Sequence, residues 1–317
     1  MGSKLKLRDL SRSLGATIEA RDVAILAQIA VLSSISWLAP QRYWLKLSEN
    51  LGALRRLLRR DFAAREAQVA SLLHGRNAAK PPGEIVRMAD AYYFLERVQL
   101  LRHYRPGGWE PSVRLDGAEH IESALAAGKG AILWVAPMLF HRQATKMALA
   151  GAGYRVAHLS RFSHGFTTAT LFGERCLNPI RTRLEMRYLD RRLVIGREGS
   201  KDVVGQLEGL LRQNRLVSIT AGQQARRTCY VPFLNGRVEL ATAPAFLSHK
   251  TGAPLLPVFT VRKSGKEFVT RIEPPLGERR RGEGEDAIEA DLREYAAVFE
   301  KFVLAYPEQY LGGFTMI

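Results

Sequence analysis

Four cationic side chains and one histidine fall where an α/β sheet binds its ligands. Arg142 and Lys146 lie on the helix expected after the first core strand, Arg161 follows the second strand, and Arg197 follows the third. Ligands of such sheets sit in the crevice outside the carboxyl ends of the strands, so these four residues are expected to point toward one crevice. Guanidinium groups placed there would grip phosphate in bidentate fashion. His141, beside Arg142, adds a group that exchanges a proton near neutral pH. Gln223 and Gln224, just after the fourth strand, add amide donors for a sugar or a carbonyl. The tract from Arg175 to Arg197 carries Arg181, Arg183, Arg187, Arg191 and Arg192 together with Glu185 and Asp190, so local ion pairing is expected to consume part of its charge. A Ser-nucleophile hydrolase is excluded by the lack of Gly-x-Ser-x-Gly. Cys176 and Cys229, the two cysteines of the chain, form no C-x-x-C pair and stand beside no metal-spaced histidines, so no metal site and no disulfide framework are expected, and a reducing compartment is the default.

The elements that must position these residues begin near Val113, where short β-like runs start to alternate with amphipathic helices. That alternation predicts α/β architecture. Strands are expected at Ala131–Val135, Arg155–His158, Leu193–Ile195, Leu216–Thr220, Leu255–Val261 and Phe268–Ile272. Helices are expected at Glu119–Ala127, Leu139–Ala150, Lys201–Arg212, Ala243–Thr251 and Ala287–Ala305. Upstream, Asp61 to about Tyr104 has a helical pattern broken at Lys80-Pro81-Pro82-Gly83. The stretch Glu278–Asp286 reads as a solvated charged loop.

The first sixty residues differ in kind. An uncharged run from Val23 to Gln41 lies between Lys4, Lys6, Arg8 and Arg12 on one side and Arg55, Arg56, Arg59 and Arg60 on the other. It is long enough to span a bilayer, but Gln28, Ser33, Ser34 and Ser36 dilute it and Pro40 ends it. Trp37, Tyr43 and Trp44 at its end, followed by a basic helix, match a helix lying in a headgroup layer. The alternative is a core helix of a soluble domain. The expected organisation is a basic, apolar membrane-associating segment over 1–60 and an α/β domain over 61–317.

With 317 residues, 46% of them apolar, the chain can bury a substantial core, while 47 Lys plus Arg against 31 Asp plus Glu leave a net charge of +16. Nucleic acid is not the expected partner, because no helix-turn-helix, zinc-finger, RNA-recognition or OB signature is present and the basic residues are spread among acidic ones. An anionic membrane surface and a phosphorylated substrate remain.

Several blocks in order resemble the late acyltransferases of lipid A biosynthesis, the lauroyl and myristoyl transferases within the wider lysophospholipid acyltransferase superfamily. They are VRLDGAEHIESALAAGKGAILWVA (Val113 to Ala136), Asn178-Pro179, IGREGSKDVVGQLEGLLRQNRLVSI (Ile195 to Ile219), VPFLNGRVELATAPAFLSHKTGAPLLPVF (Val231 to Phe259) and YPEQYLGGF (Tyr306 to Phe314). The resemblance implies an α/β fold, a mixed central sheet with helices on both faces, and an N-terminal segment seating the protein on the cytoplasmic face of the bacterial inner membrane, as a peripheral or monotopic helix or a single span. It also implies transfer of a fatty acyl group from acyl carrier protein, or less often a coenzyme A thioester, to a hydroxyl or amine of a glycolipid or related acceptor. The donor is a substrate, and no bound cofactor is expected.

Such a transfer needs a base for the acceptor hydroxyl, donors for the oxyanion, and a trench for the acyl chain. The family resemblance places a His-x-x-x-x-Asp/Glu motif just after the first core strand, and here Pro137 and Arg142 occupy those two positions. Neither can do that work, since proline has no proton acceptor and arginine accepts no N–H. The resemblance also places Asp-Gln where Ala221-Gly222-Gln223-Gln224 stands, and a closing tryptophan and arginine cluster where the chain reads GGFTMI. His141, four residues beyond Pro137, is the candidate for a relocated base: a helix starting at Pro137 would set it one turn further in on the same face. Glu174, Glu185 and Glu198 are candidate partners. The alternative is a catalytically silent member that binds acylated lipid or acyl carrier protein as an accessory of a pathway.

Overall fold

The computed structural model describes residues 17–166, 170–196, 201–222, 225, 227–277 and 285–310. Its centre is a seven-stranded sheet whose third to seventh strands are parallel. The strands are β1 (Ser112–Asp116), β2 (Ala131–Val135), β3 (Val156–Arg161), β4 (Arg191–Ile195), β5 (Leu216–Thr220), β8 (Leu255–Ser264) and β9 (Glu267–Ile272), in the order β1-β9-β8-β2-β5-β3-β4. Only the β8–β9 pairing is antiparallel, so the sheet is mixed. β2 is AILWV, buried at every position, as expected for a strand covered on both faces. Ile132 and Trp134 face one core while Ala131, Leu133 and Val135 face another, which is the period of two expressed as two hydrophobic layers. Helices α8 (Lys201–Arg212), α9 (Ala243–Thr251) and α10 (Glu285–Ala305) cover the first layer; α5 (Ala118–Ala126) and α6 (His141–Gly151) cover the second.

The expected strands are all present, those at 131–135 and 216–220 with the bounds read from sequence. Strand β1, a hairpin and one helix escaped that reading. A separate hairpin of β6 (Thr228–Phe233) and β7 (Gly236–Ala241) turns through Leu234 and Asn235, Leu234 at a positive φ of 51°, and buries Val231, Phe233, Val238 and Leu240 in the first layer. α7 (Asn178–Met186) runs through the arginine-rich tract, and it supplies two of the buried charges of the site.

Among the described residues four α-helices precede the sheet: α1 (Ala20–Leu38), α2 (Trp44–Arg59), α3 (Phe62–Leu73) and α4 (Pro82–Arg102), the last starting at the expected Pro-Pro break with proline in its first turn. α1 and α2 both dock on α4. Ile29 and Leu32 of α1 join Tyr92, Leu95 and Val98 of α4 in one core, and Gly52 lets α2 approach so closely that a Cβ there would stand 3.1 Å from the Ala91 nitrogen. Residues 1–60 were expected to form a basic face beside a headgroup layer, and here the structure corrects two details. Arg55 and Arg56 turn inward to the buried Asp90, at 3.5 and 3.7 Å, joined there by Arg65 at 3.0 Å, because an unpaired buried carboxylate would cost far more than two surface charges. Trp44 is a core residue, packed near Trp109 with its indole N–H on the Ala39 carbonyl at 3.0 Å. Trp37 and Tyr43 remain exposed, as do Val23, Leu26, Val31, Leu54, Leu57 and Leu58. α1 is long and apolar enough to cross a membrane.

Candidate active site

The turn after β2 is pinned from both sides. The Ala136 N–H donates to the Val258 carbonyl at 2.8 Å, Met138 closes back on Ala136 at 2.8 Å, and Leu139 donates to the Gln309 carbonyl at 2.6 Å. Gln309 is itself clamped by the backbone of Arg262, accepting from its N–H and donating to its carbonyl at 2.8 Å each. The YPEQY block therefore fixes the loop where the family resemblance puts its catalytic motif. With residues 137–140 held in this turn, α6 begins at His141 and not at Pro137. His141 thus occupies the first helical position, not the one a full turn in that the sequence suggested.

His141 is buried, and its Nδ1 bonds to the Met138 carbonyl oxygen, which leaves the lone pair on Nε2. Burial first, then the charge of Arg142, pushes its pKa down to about 3. Among the described residues no carboxylate is hydrogen-bonded to its ring.

A carboxylate does meet a different histidine. Glu185, on the last turn of α7 and fully buried, accepts from His164 Nε2 at 2.9 Å on one oxygen and 3.1 Å on the other. Lys146 Nζ lies 3.4 Å from the same carboxylate and donates to the Arg142 carbonyl at 2.6 Å. Burial alone would raise the pKa of Glu185, but Lys146 and the His164 hydrogen bond hold it well below the usual carboxylate range. His164 is pushed down by burial, against the pull of Glu185. Glu185 was expected to pair locally with arginines of its tract; it turns inward instead, on the buried face that α7 forms with Asn178, Arg181 and Leu184, where Lys146 and His164 meet it. His158, on β3, completes this group by sharing a 2.8 Å hydrogen bond with Ser218 of β5.

His164 stands on a loop with little freedom. Phe162 N–H donates to the Ile195 carbonyl at 3.2 Å and His164 N–H to the Arg161 carbonyl at 3.1 Å. Gly165 presses on the first residue of α7: a Cβ there would lie 2.5 Å from the Asn178 Cα and 2.6 Å from its Cβ. Asn178 of the Asn-Pro element thus forms the seat of this loop. Gly165→Ala is expected to lower stability by about 1–3 kcal/mol through this overpacking, seen as a lower urea midpoint at unchanged slope.

A second buried ion pair adjoins the first. Arg181 of α7 meets Glu96 of α4 in a two-pronged contact, at 2.5 and 2.9 Å, with Arg97 at 3.8 Å from the same carboxylate. Burial would raise the pKa of Glu96, but Arg181, by charge and hydrogen bonds, brings it down to about 2. Arg142 lies in the field of Arg181, Glu96 and Glu185, both carboxylates being already engaged by other cations. Arg97, Arg142, Lys146 and Arg181 are thus four cations around two carboxylates.

Of the residues singled out from the sequence, His141, Arg142 and Lys146 come together in this cluster. Lys146 is bound to Glu185 and not presented at a rim. Arg161 ends β3, half-buried, its carbonyl accepting from Arg192 at 2.8 Å. Arg197, Gln223 and Gln224 lie outside the described residues, as does Glu198. His164 and His158 went unread, although HLSRFSH places both at the carboxyl end of a core strand, which was a usable signal. A cavity of about 20 Å³ between α4 and α6, bordered by Leu100, Phe140, Gln143 and Phe268, is of water size and is not the acyl trench that the resemblance implies. Among the described residues no cluster of metal-ligating side chains occurs.

Residues 94–312, more than half of the chain, match the family model described as bacterial lipid A biosynthesis acyltransferase. The chain belongs to that family. The match spans the pinned turn, both buried ion pairs and all seven strands of the central sheet. Among solved structures the chain is similar to the 1-acyl-sn-glycerophosphate acyltransferase PlsC from Thermotoga maritima, at 13% identity and a TM-score of 0.34, over 79% of this chain and 96% of that one. No curated protein matches it.

Proposed function

We propose that the protein is a membrane-seated acyltransferase that moves a fatty acyl group from an acyl carrier protein or coenzyme A thioester to a hydroxyl or amine of a glycolipid or related acceptor, working at the cytoplasmic face of a bacterial inner membrane. The observation that carries this reading is the family match over a cluster whose histidines are kept neutral by burial beside buried, ion-paired carboxylates. A neutral imidazole is the form that takes a proton from the attacking hydroxyl. The cationic surplus of Arg97, Arg142, Lys146 and Arg181 suits a phosphate, whether of the carrier's phosphopantetheine or of the acceptor. In this reading Arg161 and Arg197 contribute at the rim, and Gln223 and Gln224 donate to a sugar or carbonyl. The exposed apolar residues of α1 and α2 enter the headgroup layer.

The test is direct. Purified protein is incubated with lauroyl, myristoyl and palmitoyl thioesters of acyl carrier protein and of coenzyme A plus a bacterial total lipid extract, and mass spectrometry follows thioester loss and new acylated lipids. Thioester loss that depends on the lipid extract is the expected result. Saturable binding of acylated carrier protein without turnover supports the silent accessory protein instead.

A further inference from the structure

We propose that His164, oriented by Glu185, is the general base of this site and replaces the paired motif that Pro137 and Arg142 have displaced. The inference rests on the acyltransferase reading and deepens it.

Three features separate His164 from the other histidines of the cluster. Its Nε2 is shared between both oxygens of one carboxylate, so the N–H sits on Nε2 and the lone pair on Nδ1. His141 has only a backbone carbonyl on its ring and His158 only a hydroxyl, and neither of these neutralises an imidazolium. Access is the second feature: the His164 side chain is 22% exposed, whereas His141 and His158 are buried. The third is rigidity. Gly165 packed on Asn178, and Phe166 beneath the Arg181 guanidinium at 5.3 Å, hold the loop so that the ring cannot swing away from Glu185.

The charges around the pair fit the role. Lys146 keeps Glu185 ionised from the side of Oε2 while His164 makes its shorter contact to Oε1, and burial keeps His164 neutral before the reaction. Lys146 also ties the pair to the first turn of α6, the segment where the family resemblance places its motif. Glu185 is thus a positioning residue and His164 the group that meets the substrate.

The step balances without any further reactant. The acceptor oxygen attacks the thioester carbonyl carbon, the C–O bond forms, and the hydroxyl proton passes to His164 Nδ1. The resulting imidazolium is stabilised by Glu185 across Nε2–H. As the tetrahedral oxyanion collapses, the C–S bond breaks, and the departing thiolate takes the proton from Nδ1. Ester and thiol leave, and His164 returns to its neutral form.

The experiment uses the full-length protein in the thioester and lipid-extract assay. His164→Ala is expected to lower kcat by about 100-fold or more, with KM for the thioester within about threefold of wild type. Added imidazole restores part of the lost rate, which a purely structural role would not permit. Glu185→Gln lowers the pKa of His164, so the acid limb of its pH–rate profile moves to lower pH. An independent readout covers a variant that fails to fold: the ¹⁵N shifts of wild-type His164 at pH 7 show Nε2 protonated and Nδ1 bare. A His164→Ala protein with wild-type kcat overturns the dyad while leaving the acyltransferase reading intact, as does the opposite tautomer. Wild-type protein that turns over no thioester overturns the acyltransferase reading, and the dyad falls with it.

Discussion

Glu96→Ala lowers the free energy of unfolding by about 3–5 kcal/mol. The cost comes less from the bond removed than from what remains. Arg181 is among the most deeply buried side chains of the protein, and without Glu96 its guanidinium keeps only the more distant field of Glu185 and the face of Phe166. An uncompensated buried cation then sits beside Arg97 and Arg142. The double substitution Glu96→Leu with Arg181→Met removes both charges and is expected to recover most of the loss. Urea denaturation at pH 7 reads all three proteins, and a double variant no more stable than Glu96→Ala defeats the argument.

The same pair has a pH signature with a definite sign. The folded-state pKa of Glu96, about 2, lies below the ordinary value of 4.5, so its contribution is fully present above about pH 4.5 and disappears as pH falls toward 2. A shift of this size corresponds to about 3 kcal/mol. The stability gap between wild type and Glu96→Gln therefore narrows between pH 5 and pH 2 by about that amount. A gap constant over this range would mean that the carboxylate is not held ionised by Arg181.

Much of the sheet was legible because its strands carry their own signal. AILWV and LVSIT are short apolar runs bounded by polar or glycine-rich turns, and both sit at the centre of the sheet where strands are covered on two faces. α7 was not legible, for a physical reason: two of its inward-facing residues are Arg181 and Glu185, and buried charges imitate a solvated face in any hydrophobicity pattern. Pairing explains them, and pairing is non-local. Arg181 finds its partner on α4 and Glu185 finds His164 21 residues away and Lys146 on α6. The sequence therefore pointed to the turn into α6, where His141, Arg142 and Lys146 do gather, but it did not carry their contacts. His141 and Lys146 were visible as residue types beside a strand end; that Lys146 is consumed by Glu185, and that His164 holds the carboxylate, depends on packing between helices distant in sequence.

Leu57→Asp with Leu58→Asp weakens partition of the protein onto vesicles of phosphatidylglycerol and phosphatidylcholine by about 100-fold, equivalent to about 3 kcal/mol. These two leucines are 75% and 76% exposed on a helix whose neighbouring arginines, Arg55 and Arg56, face inward to Asp90. The outward face of α2 is thus more apolar and less cationic than the sequence suggests, and in the proposed membrane seat insertion of Leu54, Leu57 and Leu58 is expected to supply most of the attraction to the bilayer. Salt separates the two contributions. Raising ionic strength from about 0.1 to 1 M shortens the screening length from about 10 to 3 Å and removes the electrostatic part, while leucine insertion persists. Point substitutions are the sound test here, because deleting residues 1–60 would strip α4 of the core residues Ile29, Leu32 and Trp44 and leave Asp90 with Arg65 as its remaining cation among the described residues. Vesicle sedimentation of the double variant equal to wild type would remove α2 from the membrane contact and leave α1, with Val23, Leu26 and Val31 exposed along it, to carry the seat.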